Sequence, residues 1–190
     1  MNLPNKLTVI RVIMIPFFVF FMLNDMGVYG KWIALAIFVI ASFTDFLDGY
    51  LARKNNLVTN FGKFMDPLAD KLLVGAAMIC LVEIGRLPAW MVIVIISREF
   101  IISGFRLIAS DNGIVIAASY WGKIKTVIQM LMIIVLIMNL GTPVNNEITL
   151  VVQGVRIAEA LLVWAALVLT VISLVDYVIK NKEVLTKGGM

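Results

Sequence analysis

The chain has 190 residues, 62% of them hydrophobic, a formal charge of +4 and a mean hydropathy of +1.01. A soluble domain of this size cannot hide so much apolar surface, so the composition points to a polytopic membrane protein. It contains no histidine, which excludes histidine nucleophiles, bases and metal ligands, and with them phospholipase-D-type chemistry. The single Cys80 lies in an apolar run, so no internal disulfide is possible and the thiol reads as a packing group.

In chain order, residues 1–8 are short and polar, and Pro4-Asn5 marks a helix start. An apolar run over 9–23 follows, with Arg11 near its start and Pro16 inside it, where a kink or a repair by neighbouring helices is expected. A secretory signal is the alternative, but no small-residue cleavage site follows and later segments are equally apolar. Residues 24–31 form a polar turn, and a second span runs from 31 or 32 to 52. A basic, Asn-rich loop covers 53–63. The third span runs from 66 to 83 or 84, with Pro67 acceptable in a first helical turn and a kink if deeper. Gly85-Arg86-Leu87-Pro88 is a turn. The fourth span, 89 to about 108, carries Arg98, Glu99 and Arg106, and a small-residue connection covers 109–119. The fifth, 120–140, opens with Lys123 and Lys125. A polar loop at 141–148 leads to a long last span, 152–179, and a basic tail that frays.

Each span reaches the roughly 20 residues that cross a bilayer. The expectation is one all-α domain over 1–190, a polytopic bundle of six transmembrane helices. Lys6, Arg11, Arg53, Lys54, Lys63, Lys123, Lys125, Lys180, Lys182 and Lys187 fall on one side, against mainly Lys31 and Arg86 on the other, with Arg156 near an end. Both termini are therefore expected to be cytoplasmic. Trp32, Trp90, Trp121 and Trp164 need no ligand, and three of them fall near span ends as interfacial anchors. Gln129 reads as an interhelical hydrogen bond and Arg156 with Glu159 as an interfacial pair. Glu83 and Asp176 lie near span ends, where reaching water is cheap.

Residues 44–71 place Asp45, Asp48, Asp66 and Asp70 at the ends of two apolar segments. A carboxylate in hydrocarbon costs roughly 2.5–3.5 kcal/mol, so four require compensation. Asp45 and Asp48 are three apart and Asp66 and Asp70 four apart, so each pair shares a helix face. Converging carboxylates resist joint ionisation unless a cation joins them, and an all-oxygen set suits Mg²⁺, Mn²⁺ or Ca²⁺. Gly49, Ala52 and Gly62 keep the floor low, and Arg53 adds a fixed positive charge. The pattern describes a site for a phosphate-bearing ligand.

The run Asp45-x2-Asp48-Gly49-x2-Ala52-Arg53-x8-Gly62-x3-Asp66-x3-Asp70 resembles the signature of the CDP-alcohol phosphotransferase family, matching every fixed position. The resemblance implies that Asp45, Asp48, Asp66 and Asp70 bind one or two divalent ions, Mg²⁺ or Mn²⁺, against the pyrophosphate of CDP-diacylglycerol. Asp45, Asp48, Gly49, Ala52, Arg53 and Gly62 would receive that substrate, and Asp70 would be the general base.

Arg98, Arg106, Lys123 and Lys125 form a second, basic cluster. Arg98 and Arg106 are eight apart and roughly share a face. Glu99 is offset and suits a lysine or an arginine of another helix. Lys125 and Lys54 also fit ordinary positive-inside anchoring. A basic subsite suits a phosphorylated acceptor. Pro4-Asn5-x-Leu7-Thr8-x2-Arg11, Asp66-Pro67-Leu68-Ala69-Asp70-Lys71, Ser97-Arg98-Glu99 and Gly122-Lys123-x-Lys125-Thr126 resemble the branch whose acceptor is sn-glycerol 3-phosphate. By that resemblance Arg98, Arg106 and Lys123, with Thr8, Arg11, Lys63 and Lys125, would hold the acceptor phosphate. The product would be a phosphatidyl lipid and CMP. Membrane lipids and a second copy of the chain, as a homodimer, are the implied partners, with no nucleic acid. The implied location is the bacterial cell membrane, with the site facing the cytoplasm. Another acceptor, as in cardiolipin or inositol-phosphate lipid synthases, remains open. So does a cation-binding transporter, although no repeated halves are visible.

Overall fold

The computed structural model describes residues 3–24, 26–54, 60–111, 116, 119–140 and 150–181. The side chains of 3–4, 27–28, 45–54, 60–64 and 111 lie outside that description. The described residues are all-α, with six helices: α1 Leu3–Leu23, α2 Gly27–Lys54, α3 Asn60–Glu83, α4 Ala89–Asp111, α5 Tyr120–Met138 and α6 Leu150–Lys180. Among them α1 (from Asn5), α5 and α6 are long and apolar enough to cross a membrane, and Tyr29–Thr44 of α2 is a shorter apolar stretch. α4 is long enough, but Arg98, Glu99 and Arg106 interrupt its apolar run.

Helices outrun the apolar segments that announce them. α1 begins at Leu3 rather than residue 9, and α2 takes in part of the expected turn at 24–31. α2 runs on to Lys54 and α3 begins at Asn60, so 53–54 and 60–63 of the expected loop are helical, and 55–59 lies outside the described residues. The physical reason is that apolarity marks contact with hydrocarbon, whereas helix needs only its own backbone bonds, which polar turns make as well. Asp66 therefore stands inside α3 rather than at its start. Pro67 is deeper than the first turn and withholds an amide hydrogen from the carbonyl four residues earlier.

Two compact units are present. The first comprises Met1–Leu87 with Leu136–Met138, and the second Pro88–Val135 with Asn139–Met190. In the first, α1 packs on both α2 and α3, and α2 touches α3. Gly30, Ala34, Phe38 and Ala41 form the buried stripe of α2, and Ala69, Leu73, Ala77 and Leu81 that of α3. Small residues let helices approach where apolar lipid supplies no hydrophobic drive. A methyl at Gly30 would meet the Phe21 carbonyl oxygen at 3.1 Å, which shows how close the chain returns after α1. Phe18 is fully buried, its ring 5.9 Å from that of Phe38. α3 ends at Gly85, whose φ of 71° suits glycine. The Gly85 amide donates to the Val82 carbonyl (2.9 Å) and the Arg86 amide to that of Leu81 (2.8 Å), a Schellman closure with Pro88 following. Cys80 is buried, as a packing residue should be.

In the second unit α4 packs on α6. Trp90 lies against Trp164, Arg98 against Ser173 and Phe105 against Tyr177, so the two helices run in the same direction. The Ser119 hydroxyl caps α5 by accepting from the Gly122 amide (3.1 Å). α6 is apolar outside, and its buried side is largely small or polar, with Leu167 the apolar exception. Ile157, Leu161, Trp164, Val168, Val171 and Val175 are exposed, whereas Ala166, Thr170, Ser173 and Tyr177 are buried. Such inverted patterning suits a helix whose outer face meets lipid.

Phe18→Ala should lower the unfolding free energy by about 3 kcal/mol or more. The neighbouring exposed Phe17→Ala should change it by under about 0.5 kcal/mol. Thermal melts in detergent distinguish the two.

Candidate active site

In the first unit the acidic motif is split between the end of α2 and the start of α3. Asp48 stands six residues before the end of α2 and Asp66 six after the start of α3. At 1.5 Å per residue each is about 9 Å along its helix. Asp45 and Asp70 follow at about 13.5 and 15 Å. The five residues 55–59 that join the two helices can span at most about 20 Å. The side chains of Asp45, Asp48, Gly49, Ala52, Arg53, Gly62 and Lys63 lie outside the described residues, although their backbone is helical.

Asp66 and Asp70 are described, one turn apart and half-buried. The Thr8 hydroxyl donates to Asp66 Oδ1 at 2.6 Å across 58 residues of sequence. Thr8 and Arg11 are fully buried and Asn5 nearly so, and these three lie on the inner side of α1. Thr8 thus holds a carboxylate of the acidic run directly, a contact that its spacing alone did not disclose. Asn5, carried within a quoted motif but not singled out, shares that burial. Its signal was a polar residue one turn before Thr8. Among the described residues Asp66 has no cationic partner, only a neutral hydroxyl. A carboxylate so placed, one turn from another, fits a hard divalent cation by its donor chemistry.

In the second unit the basic cluster contains its own carboxylate. Glu99 Oε1 accepts from Arg98 Nη1 at 3.0 Å and from Lys125 Nζ. Arg98 Nε donates to Ser173 Oγ at 3.1 Å, and Arg98 Nη2 would stand 3.2 Å from a methyl at Gly122. A methyl there would press on the guanidinium, which would have to give way by a few tenths of an ångström. Lys125 is fully buried, so it is a core ion rather than a surface anchor. Arg98 is buried but Arg106 exposed, because eight residues leave about 80° between them on a helix. Arg106 instead lies over the Tyr177 ring, 6.0 Å from its centroid. Lys123 is exposed. Gln129 and Glu159 are buried, and Asp176 pairs with Lys180 at 2.7 Å.

Glu99→Gln would remove the carboxylate that the buried Arg98 and Lys125 share. We expect a loss of about 3 kcal/mol in stability, with more than half recovered in Glu99→Gln/Lys125→Met, since pairs in one network do not add. Melting temperatures of the three proteins measure this.

Comparison with known proteins gives these residues a context. Residues 1–177 match the family model described as CDP-alcohol phosphatidyltransferase. The chain is 48% identical, over 97% of both chains, to a Bacillus subtilis protein named CDP-diacylglycerol–glycerol-3-phosphate 3-phosphatidyltransferase. Proteins of the same name from Haemophilus influenzae (41% identical, 93% of this chain and 91% of theirs) and Rickettsia felis (38%, 93% of each) are similar. With the acidic run intact and nearly the whole chain matched, the chain belongs to the CDP-alcohol phosphatidyltransferase family.

Proposed function

We propose that this enzyme transfers a phosphatidyl group from CDP-diacylglycerol to the 1-hydroxyl of sn-glycerol 3-phosphate, giving phosphatidylglycerophosphate and CMP in phospholipid biosynthesis. The observation that carries this reading is the end-to-end 48% identity to a protein named for that reaction. The acidic pairs on α2 and α3 supply the chemistry it needs.

Asp45, Asp48, Asp66 and Asp70 would hold one or two Mg²⁺ or Mn²⁺ ions. Bound there, such ions offset negative charge on the pyrophosphate. Thr8 holds Asp66 by its Oδ1 and so fixes one carboxylate of the set. Gly49, Ala52 and Gly62 leave room for the cytidine, with Arg53 beside it. The Asp70 carboxylate takes the proton of the acceptor hydroxyl. The freed oxygen bonds to the phosphatidyl phosphorus as the bond to CMP breaks. The acceptor phosphate falls to Arg98, Arg106, Lys123 and Lys125, with Thr8, Arg11 and Lys63. Of these, Arg106 and Lys123 are exposed, whereas Arg98 and Lys125 already share Glu99. The first two are therefore best suited to meet a soluble anion, and the second two to set the local potential.

The membrane reading extends to six spanning helices in one domain over 1–190, both termini and the site on the cytoplasmic side of the bacterial cell membrane. The excess of Lys and Arg on that side supports it, as does the water-soluble acceptor. A homodimer is the assembly we propose, by analogy with the family.

Purified protein with CDP-diacylglycerol, Mg²⁺ or Mn²⁺ and one acceptor at a time should release CMP with glycerol 3-phosphate. Chelation should abolish release, and Asp70→Asn should lower kcat at least about 100-fold. Release only with inositol phosphate or phosphatidylglycerol would overturn the acceptor. No release with any acceptor, in folded protein, would overturn the transfer. Thr8→Val should raise the divalent-ion concentration needed for half-maximal rate several-fold, whereas Thr8→Ser should stay near wild type. Metal titrations of the rate provide the check.

A further inference from the structure

The inner face of α6 carries three hydroxyls at helical spacing, on Thr170, Ser173 and Tyr177, and all three are buried. Two of them are used within the protein. Thr170 donates to the Ala166 carbonyl at 2.6 Å, and Ser173 donates to that of Thr170 at 3.0 Å while accepting from Arg98. The Tyr177 hydroxyl differs. Among the described residues it has no hydrogen-bond partner, although Tyr177 is only 2% exposed. Its backbone is held in place. The Tyr177 carbonyl accepts from both the amide (3.1 Å) and Nδ2 (2.8 Å) of Asn181, and its ring packs 6.3 Å from that of Phe105.

A buried donor with no acceptor is unfavourable, and phenylalanine would fill the same space without that cost. A ligand that supplies the acceptor explains why a hydroxyl stands there. The neighbouring groups say which kind. Arg106 lies over the Tyr177 ring, is exposed, and has no carboxylate partner among the described residues. The nearby Asp176 is already offset by Lys180. A guanidinium with its fork of donors and a phenol that needs an acceptor are together matched by an anion with several oxygens.

We infer that the Tyr177 hydroxyl and the Arg106 guanidinium jointly bind the phosphate monoester of a small soluble acceptor, which makes Tyr177 a specificity-determining residue. Arg106 covers the ring in this structure. As its flexible side chain moves onto the phosphate, the phenol is uncovered and donates to a second phosphate oxygen. The inference rests on the acceptor reading proposed above. A lipid headgroup could offer the same phosphate chemistry, so the test separates the two sources.

Tyr177→Phe is compared with wild type in two assays. In CMP-release kinetics at fixed CDP-diacylglycerol, KM for glycerol 3-phosphate should rise about tenfold, as for loss of a hydrogen bond to a charged group. The kcat and the KM for CDP-diacylglycerol should stay within about twofold, since a donor to the acceptor phosphate contributes mainly to binding. In thermal melts, glycerol 3-phosphate alone should stabilise wild type and stabilise Tyr177→Phe much less. The ligand-free variant should melt no lower than wild type, because it has lost only an unpaired hydroxyl. An unchanged KM together with full stabilisation of the variant would overturn the inference. So would an effect confined to the dependence on anionic lipid in the micelle, or a wild type that glycerol 3-phosphate does not stabilise. A wild type that releases no CMP sinks the transfer reaction instead, and the melts still decide Tyr177.

Discussion

An ion beside hydrocarbon has to be matched, and in this protein that requirement governs where the helices meet. The penalty for an uncompensated charge is several kcal/mol, comparable to a large part of a domain's net stability. The chain nevertheless places Arg98, Glu99 and Lys125 at helix contacts, two of them almost fully buried. Among the described residues one carboxylate oxygen is shared between two cations, and that shared contact holds both in place. An ammonium or guanidinium locked this way loses little freedom when a phosphate approaches, which is the sense in which such a cluster is preorganised. In the acidic unit the logic is reversed: Asp66 is oriented by the neutral Thr8 hydroxyl, so its charge is fixed in direction and, among the described residues, no cation offsets it.

The packing around these ions has the inverted character that a lipid solvent demands. Inner faces mix large apolar residues such as Phe18, Phe38, Leu73 and Leu81 with small ones: Gly30, Ala34, Ala41, Ala69, Ala77, Ala166, Thr170 and Ser173. Exposed positions carry Ile, Leu, Val, Phe and Trp. Close backbone approach through small residues supplies the dispersion contact that holds the helices. Hydroxyls turned away from solvent bond back to their own helix, as Ser42 does to Phe38 and Thr170 to Ala166. Polar side chains can thereby sit inside without demanding partners from neighbouring helices.

Much of this was legible before any coordinates. The acid spacing within residues 45–70 carries its own physical explanation, and the apolar runs announced every helix. Two kinds of information were not legible. Helix ends could not be read from apolarity, because Leu3 to Thr8, Gly27 to Lys31 and Asn60 to Met65 are polar or mixed yet helical. Long-range pairing could not be read either. Nothing in the run around Thr8 says that its hydroxyl meets a carboxylate 58 residues later. Glu99 was expected to find a lysine or an arginine of another helix. It finds Lys125 from α5 and also Arg98 from its own helix, a double use that only side-chain direction decides. The eight-residue interval between Arg98 and Arg106 looked like one face, but the 80° offset was enough to bury one and expose the other.

The Thr8 to Asp66 contact also sets a timetable for biogenesis. At about 5–20 residues per second, α1 is made roughly 3–12 s before its acidic partner on α3 exists. During that interval the Thr8 hydroxyl waits for the carboxylate it will hold, while Ile13, Phe17 and Phe20 give the opposite, exposed side of α1 an apolar surface suited to lipid.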